Sequence, residues 1–280
     1  MRLVLVLLVC LVPLGAQAQR MSDRVLDAMQ VAALFDMLQQ EAVASGRDLG
    51  AEMMPGRDLA GWERTLARLN DPDTVLPAFR DAFADALDAV PGGGDAPGRA
   101  ILAYLTTPPG DRIVGLELSA RAALTEPGIE DAVRARFEAD RAAGSDFAAA
   151  VARFIAVNDL VDRNVTGALA ANAAFLTGLQ NGADGSGRTE TGLGTGDVLA
   201  DVWAQEPAIR ASTEDWLHAF VSLAYGPLGA DDLQTHIAFS ESPAGQAFND
   251  AIFTAFDTVL TDLSYDTGAA LARLLASEDL

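Results

Sequence analysis

The sequence predicts an all-α protein, a helical bundle containing two tandem copies of a helix–corner–helix unit. Three observations carry this. Apolar residues recur at helical spacing along nearly the whole chain. Alternating runs of Val, Ile and Thr, the mark of strands, are missing. Two stretches offset by 135 residues repeat one helix junction, Tyr104 to Gly110 matching Phe239 to Gly245.

Residues 1–18 are expected to be a signal peptide. Arg2 supplies the positive charge, residues 3–14 are apolar, and Ala16-Gln17-Ala18 is the small-x-small pattern of a cleavage site. Cleavage after Ala18 would place the protein in the periplasm or outside the cell. The apolar run is too short to cross a hydrocarbon core of ~30 Å, so no stable membrane span is expected after cleavage. Cys10, the only cysteine, sits inside this run behind Leu8-Val9, without the small residues that lipidation needs. The mature chain therefore has no thiol for disulfides, redox work or metal binding.

Beyond residue 18, a first helical unit is expected over 19–145 and a second over 146–280. Ser22-Asp23 would cap a helix carrying Val25, Met29, Ala32, Ala33 and Met37 on one face. Trp62, Leu66 and Leu69 mark a shorter helix. Asp71-Pro72 is a cap followed by proline at the first helical position, opening a helix that buries Leu76, Phe79, Phe83 and Leu87. Pro91-Gly92-Gly93-Gly94 ends it. Further helices are expected at 97–106, 108–125, 128–142, 146–160, 161–180, 198–225, 230–240 and from 243 towards 276. Between them, 181–197 is rich in Gly, Ser, Thr and Asp. Its Gly192-Leu193-Gly194-Thr195-Gly196-Asp197 is a single glycine-aspartate unit, which cannot stack into a calcium-binding roll, so a flexible loop is expected.

The two corners are the most informative motif. One reads Tyr104-Leu105-Thr106-Thr107-Pro108-Pro109-Gly110, the other Phe239-Ser240-Glu241-Ser242-Pro243-Ala244-Gly245. In each, the aromatic anchors the end of one helix, and the Thr107 or Ser242 hydroxyl caps the next. Pro108 or Pro243 then opens that helix, and Gly110 or Gly245 lets another backbone come close. These residues resemble a domain-of-unknown-function family of secreted and periplasmic bacterial proteins, helical and marked by an aromatic followed by Ser/Thr-Pro-x-Gly at a helix corner. The stretch 237–246 is the closer match. The resemblance implies a fold type and a compartment; it brings no activity, cofactor or catalytic residue.

Composition excludes more than it identifies. Forty acidic residues against 19 basic ones give a net charge of −21, a surface that repels nucleic-acid phosphates and anionic headgroups. All the basic residues are arginine. Without lysine there is no P-loop, no pyridoxal Schiff base and no Ser-x-x-Lys acylase. Neither H-E-x-x-H nor G-x-S-x-G occurs. Glu241-Ser242 is superficially similar to the Glu-Ser pair of helical lytic transglycosylases, but the Gly-Leu-Met-Gln segment that accompanies it there is absent.

Two histidines remain. Glu214 and His218 are one turn apart, as are Asp232 and His236 on the next helix. If Gly226-Pro227-Leu228-Gly229 folds the two helices antiparallel, these four side chains are the candidate ligands of a divalent metal. Helical spacing puts His218, Glu214, Ser222 and Tyr225 on a polar face, opposite Leu217, Phe220, Val221 and Ala224. Hydrogen-bonded structural histidines are the expected outcome. The function expected is a non-enzymatic binding or interaction module, without cofactor, whose partner is an envelope protein or an apolar small molecule held between helices. The alternative is a metal-dependent or carboxylate-based cell-envelope hydrolase.

Overall fold

The computed structural model describes residues 19–184, 200 and 202–277. Among the described residues there are twelve principal helices and no strand. They are α1 (Met21–Ala28), α2 (Val31–Met53), α3 (Ala60–Leu69), α4 (Pro72–Asp88), α5 (Asp95–Leu105), α6 (Gly110–Leu124), α7 (Ile129–Ala142), α8 (Asp146–Val157), α9 (Leu160–Asp184), α10 (Glu206–Tyr225), α11 (Ala230–Glu241) and α12 (Pro243–Ser277). The expected signal peptide and positions 185–197 of the Gly-rich loop lie outside the described residues. Positions 181–184 do not: they belong to α9, which runs past the expected end at 180.

Local chemistry explains where the helices start. The Asp71 carboxylate accepts the Asp73 N–H at 3.0 Å and Pro72 follows, as expected for α4. The N-terminal helix, expected to be continuous, is broken at Gln30, whose φ is 55°. That left-handed residue resets the phase. Val25 and Leu26 are buried before it and Val31 and Phe35 after it, whereas Ala32 and Ala33 face solvent. Ser22 makes no capping bond and is buried instead.

Two main cores fill the bundle. In one, α1, α2, α4 and α5 pack around α12, with Phe79 wedged between Phe35 and Phe256 at centroid distances of 5.0 and 4.8 Å. In the other, α6, α7 and α8 pack with α10 and α11. Both draw on residues from each side of Ser145, and Tyr104 packs against both.

The long helices α9 and α12 run side by side in the same direction. Asn249 donates to the Asn158 carbonyl, and further along Gly178 and Gly182 meet Tyr265 and Ala269. This contact is made by backbones. A Cβ on Gly178 would lie 2.0 Å from the Tyr265 carbonyl oxygen, and one on Gly268 would lie 2.1 Å from that of Phe175. Small residues at this seam hold the end of α9 on α12, which is why the helix continues to Asp184.

The two corners share their tightest contact. A Cβ on Gly110 would lie 2.1 Å from the Tyr104 carbonyl oxygen; on Gly245 it would lie 2.0 Å from that of Phe239. The rings of Tyr104 and Phe239 then stack face to face, centroids 3.8 Å apart and planes within 5°. Their openings differ. At the second corner Pro243 begins α12 and the Ser242 hydroxyl accepts the Gly245 N–H at 3.1 Å. At the first, α6 begins at Gly110, not Pro108, after a cis Pro108–Pro109 peptide. A proline disfavours helical geometry in the residue before it, so Pro109 keeps Pro108 out of the helix. The Thr107 hydroxyl is not the expected cap; it donates to the Ala103 carbonyl at 2.8 Å.

Gly110→Ala and Gly245→Ala should each cost about 3 kcal/mol in chemical denaturation, because the new methyl meets backbone that cannot rotate away. Gly115→Ala, on the same helix as Gly110 but with open space around it, should be neutral or slightly stabilising. Equal losses in all three would show that the corners are not tight.

Candidate binding cavity

Where the two cores meet, four polar side chains form a line inside the protein. Tyr104 ends α5 and is fixed by the corner glycine behind it. His236 lies on α11, one turn before Phe239, and Tyr225 closes α10. Glu117 is in the middle of α6. The Tyr104 hydroxyl is 2.7 Å from His236 Nδ1, His236 Nε2 is 3.0 Å from the Tyr225 hydroxyl, and Tyr225 donates to Glu117 Oε1 at 2.6 Å. His236 and Tyr225 are buried, and the imidazole also stacks on Phe154 at 4.8 Å.

Burial keeps the imidazole and both tyrosines of this line neutral. It depresses His236 to about 4, so the imidazole is neutral near pH 7 and carries one N–H. With Glu117 ionised, the Tyr225 hydroxyl donates its hydrogen bond to the carboxylate, so its oxygen accepts from Nε2–H. Nδ1 is then the acceptor for the Tyr104 hydroxyl. Every donor has an acceptor and the line runs one way. Burial raises Glu117 above the ordinary carboxylate range, opposed by the Tyr225 hydrogen bond. Burial also raises both tyrosines, Tyr225 with added repulsion from Glu117.

Two adjoining cavities open beside this line. One, of about 280 Å³, has Tyr104, Tyr225 and His236 on its polar side and Phe154, Trp216 and Phe253 among its apolar walls. The other, of about 410 Å³, lies between α2, α6, α9 and α12 and includes Arg121, Arg163, Asp257 and exposed Leu260. Glu117 lines both. No known protein family, curated protein or solved structure matches this chain.

The four candidate metal ligands are not brought together. From the turn at 226–229, α11 packs against α8 and α12 while α10 packs chiefly against α6, α7 and α9 and less against α8, so the two helices do not pair with each other. His218 stacks on Phe137 at 4.6 Å, Glu214 is exposed, and Asp232 pairs with Arg112 at 3.3 Å. Both His236 nitrogens are taken by tyrosine hydroxyls. Among the described residues no cluster of three or more His, Asp or Glu is placed to hold a metal. Tyr225, expected on the polar face, is 1% exposed. Of the expected site residues, the structure joins His236 and Tyr104. Sequence reasoning missed Glu117 and Tyr225. The one available signal was Glu117 itself, a carboxylate between Leu116 and Leu118 in an otherwise apolar run.

His236 makes stability pH-dependent. Its folded value lies below the unfolded one, so the unfolded chain takes up a proton first as pH falls. Stability is lost from about pH 6.5 down to about 4, by up to about 3 kcal/mol. Glu117 works in the opposite sense, since a raised carboxylate destabilises the fold as pH rises through its folded value. Denaturation of the wild type and His236→Leu across this window should show a steeper acid loss in the wild type. Parallel curves would mean that His236 is not buried neutral.

Proposed function

We propose that the protein is an exported helical binding protein, built from two tandem helix–corner–helix units, that holds an apolar small molecule between its helices. The observation that carries this is the pair of adjoining cavities at the meeting of the two cores, walled by aromatic and aliphatic side chains around a few convergent polar groups. Evolved interiors are close-packed, so space of this size beside a fully hydrogen-bonded polar line calls for an occupant. The leader-like residues 1–18 and the acidic, lysine-free composition support an envelope or extracellular setting. The matching glycine–carbonyl contacts and the Tyr104–Phe239 stack support the tandem organisation and the family likeness of the corner motif.

A carboxylate-based hydrolase is the second reading, favoured by Glu117 and Asp257 lining one cavity with burial raising both. It is the weaker one: Asp257 stands at the exposed rim and Glu117 is inside, already hydrogen-bonded to Tyr225.

N-phenyl-1-naphthylamine, a neutral fluorescent apolar probe, should bind saturably at one site with micromolar affinity. Ile252→Trp, which fills the first cavity from its wall, should weaken it about tenfold or more while leaving the helical circular dichroism unchanged. Saturable binding that Ile252→Trp leaves intact would place the probe elsewhere, and no binding would remove the proposal.

A further inference from the structure

We infer that the ligand is amphipathic and cationic: an apolar molecule carrying one protonated amine, seated with its nitrogen at Glu117. This rests on the cavity being a binding site and adds the chemistry of the occupant. Glu117 is the single charged group that lines both cavities, and among the described residues it has no ion-pair partner. Its polar neighbour is a neutral tyrosine. The cations that share the second cavity are already neutralised. Arg121 is held by Glu41 through two bonds of 2.8 and 2.6 Å, and Arg163 is paired with Asp250. Asp257 adds a further carboxylate near the rim. With Glu117 ionised, the cavity is net negative and that carboxylate stands uncompensated at the junction.

A buried carboxylate in that state has two ways to lower its free energy, to take up a proton or to meet a cation. The walls suit the apolar part of a ligand cation. Trp216, Phe220 and Phe253 line the same space and their bulk accepts an alkyl or aryl tail, while Arg121 already lies over Trp216 and Arg163 over Phe253, which leaves Glu117 as the group for the ammonium. The groups facing Glu117 from the surrounding helices are Tyr104 on α5, Arg121 on α6, Arg163 on α9, Tyr225 on α10, His236 on α11 and Asp257 on α12. Tyr104, Tyr225 and His236 are neutral near pH 7, and each arginine has its own acid. Glu117 is left as the charge that a ligand answers.

The test is displacement of N-phenyl-1-naphthylamine by decylamine, decanol and decanoate, which share a tail and differ in head-group charge. Salt of about 0.5 M screens the acidic surface. Decylamine should compete about tenfold better than decanol, and decanoate worst. Glu117→Gln should abolish the preference for amine over alcohol while retaining the fluorescent probe. Glu126→Gln, an exposed carboxylate outside the cavities, should leave the preference in place. Probe binding with equal displacement by alcohol and amine, or stronger displacement by decanoate, overturns the cationic ligand and leaves the cavity standing. Loss of the amine preference in Glu126→Gln assigns the effect to surface charge and also overturns it. Failure of the probe itself removes the binding cavity and this inference with it.

Discussion

The contact between each corner glycine and the carbonyl oxygen six residues before it sets the geometry on which the rest depends. With no Cβ at Gly110 or Gly245, the second helix of each corner starts directly against the end of the first. That closeness aims Tyr104 and Phe239 at each other, and their stack joins the two cores. Stacked there, Tyr104 has its hydroxyl within reach of His236, and the line to Glu117 follows from neighbouring helices. A methyl group at either glycine would push on this whole sequence of contacts. Contacts between backbones are the least adjustable in a protein, because no rotamer change relieves them.

Much of this architecture was legible in the amino-acid order. Asp71-Pro72 announced α4 through a cap that needs only local chemistry, and the corner motif announced itself twice. What local pattern does not encode was missed for identifiable reasons. Gln30 is an ordinary helix former, so nothing in its neighbourhood shows that it adopts a left-handed conformation and divides α1 from α2. The second corner followed its motif, whereas Pro109 changed the first by constraining the proline ahead of it. The extension of α9 to Asp184 depends on glycines that look like loop formers until α12 lies beside them.

The site was less legible than the fold. Helical spacing assigned Tyr225 to the polar face, which is right for an isolated helix, but α10 is packed by α6, α7, α8 and α9. Burying Tyr225 is tolerable because both its donor and its acceptor capacity are used, by Glu117 and His236. Glu117 was concealed by number, one carboxylate among forty acidic residues. The candidate pairing of the two histidines failed on direction: here the turn joins the two helices without packing them together, and beyond it α11 follows α8. Spacing along a helix gives the face of a side chain; what occupies that face is a property of the assembled bundle.

The polar line has a further consequence, which follows from its being made of groups that both give and take protons. An ionised Glu117 forces every hydrogen bond to point towards it. A neutral carboxyl removes that demand and lets the order invert, with Glu117 giving to Tyr225, Tyr225 to Nε2, and Nδ1–H to the Tyr104 oxygen. The heavy atoms stay where they are, yet the dipole of the row changes sign and His236 exchanges one tautomer for the other. Tyr104, at the far end and stacked between the cores, thereby senses whether charge is present at Glu117 through nothing heavier than hydrogen.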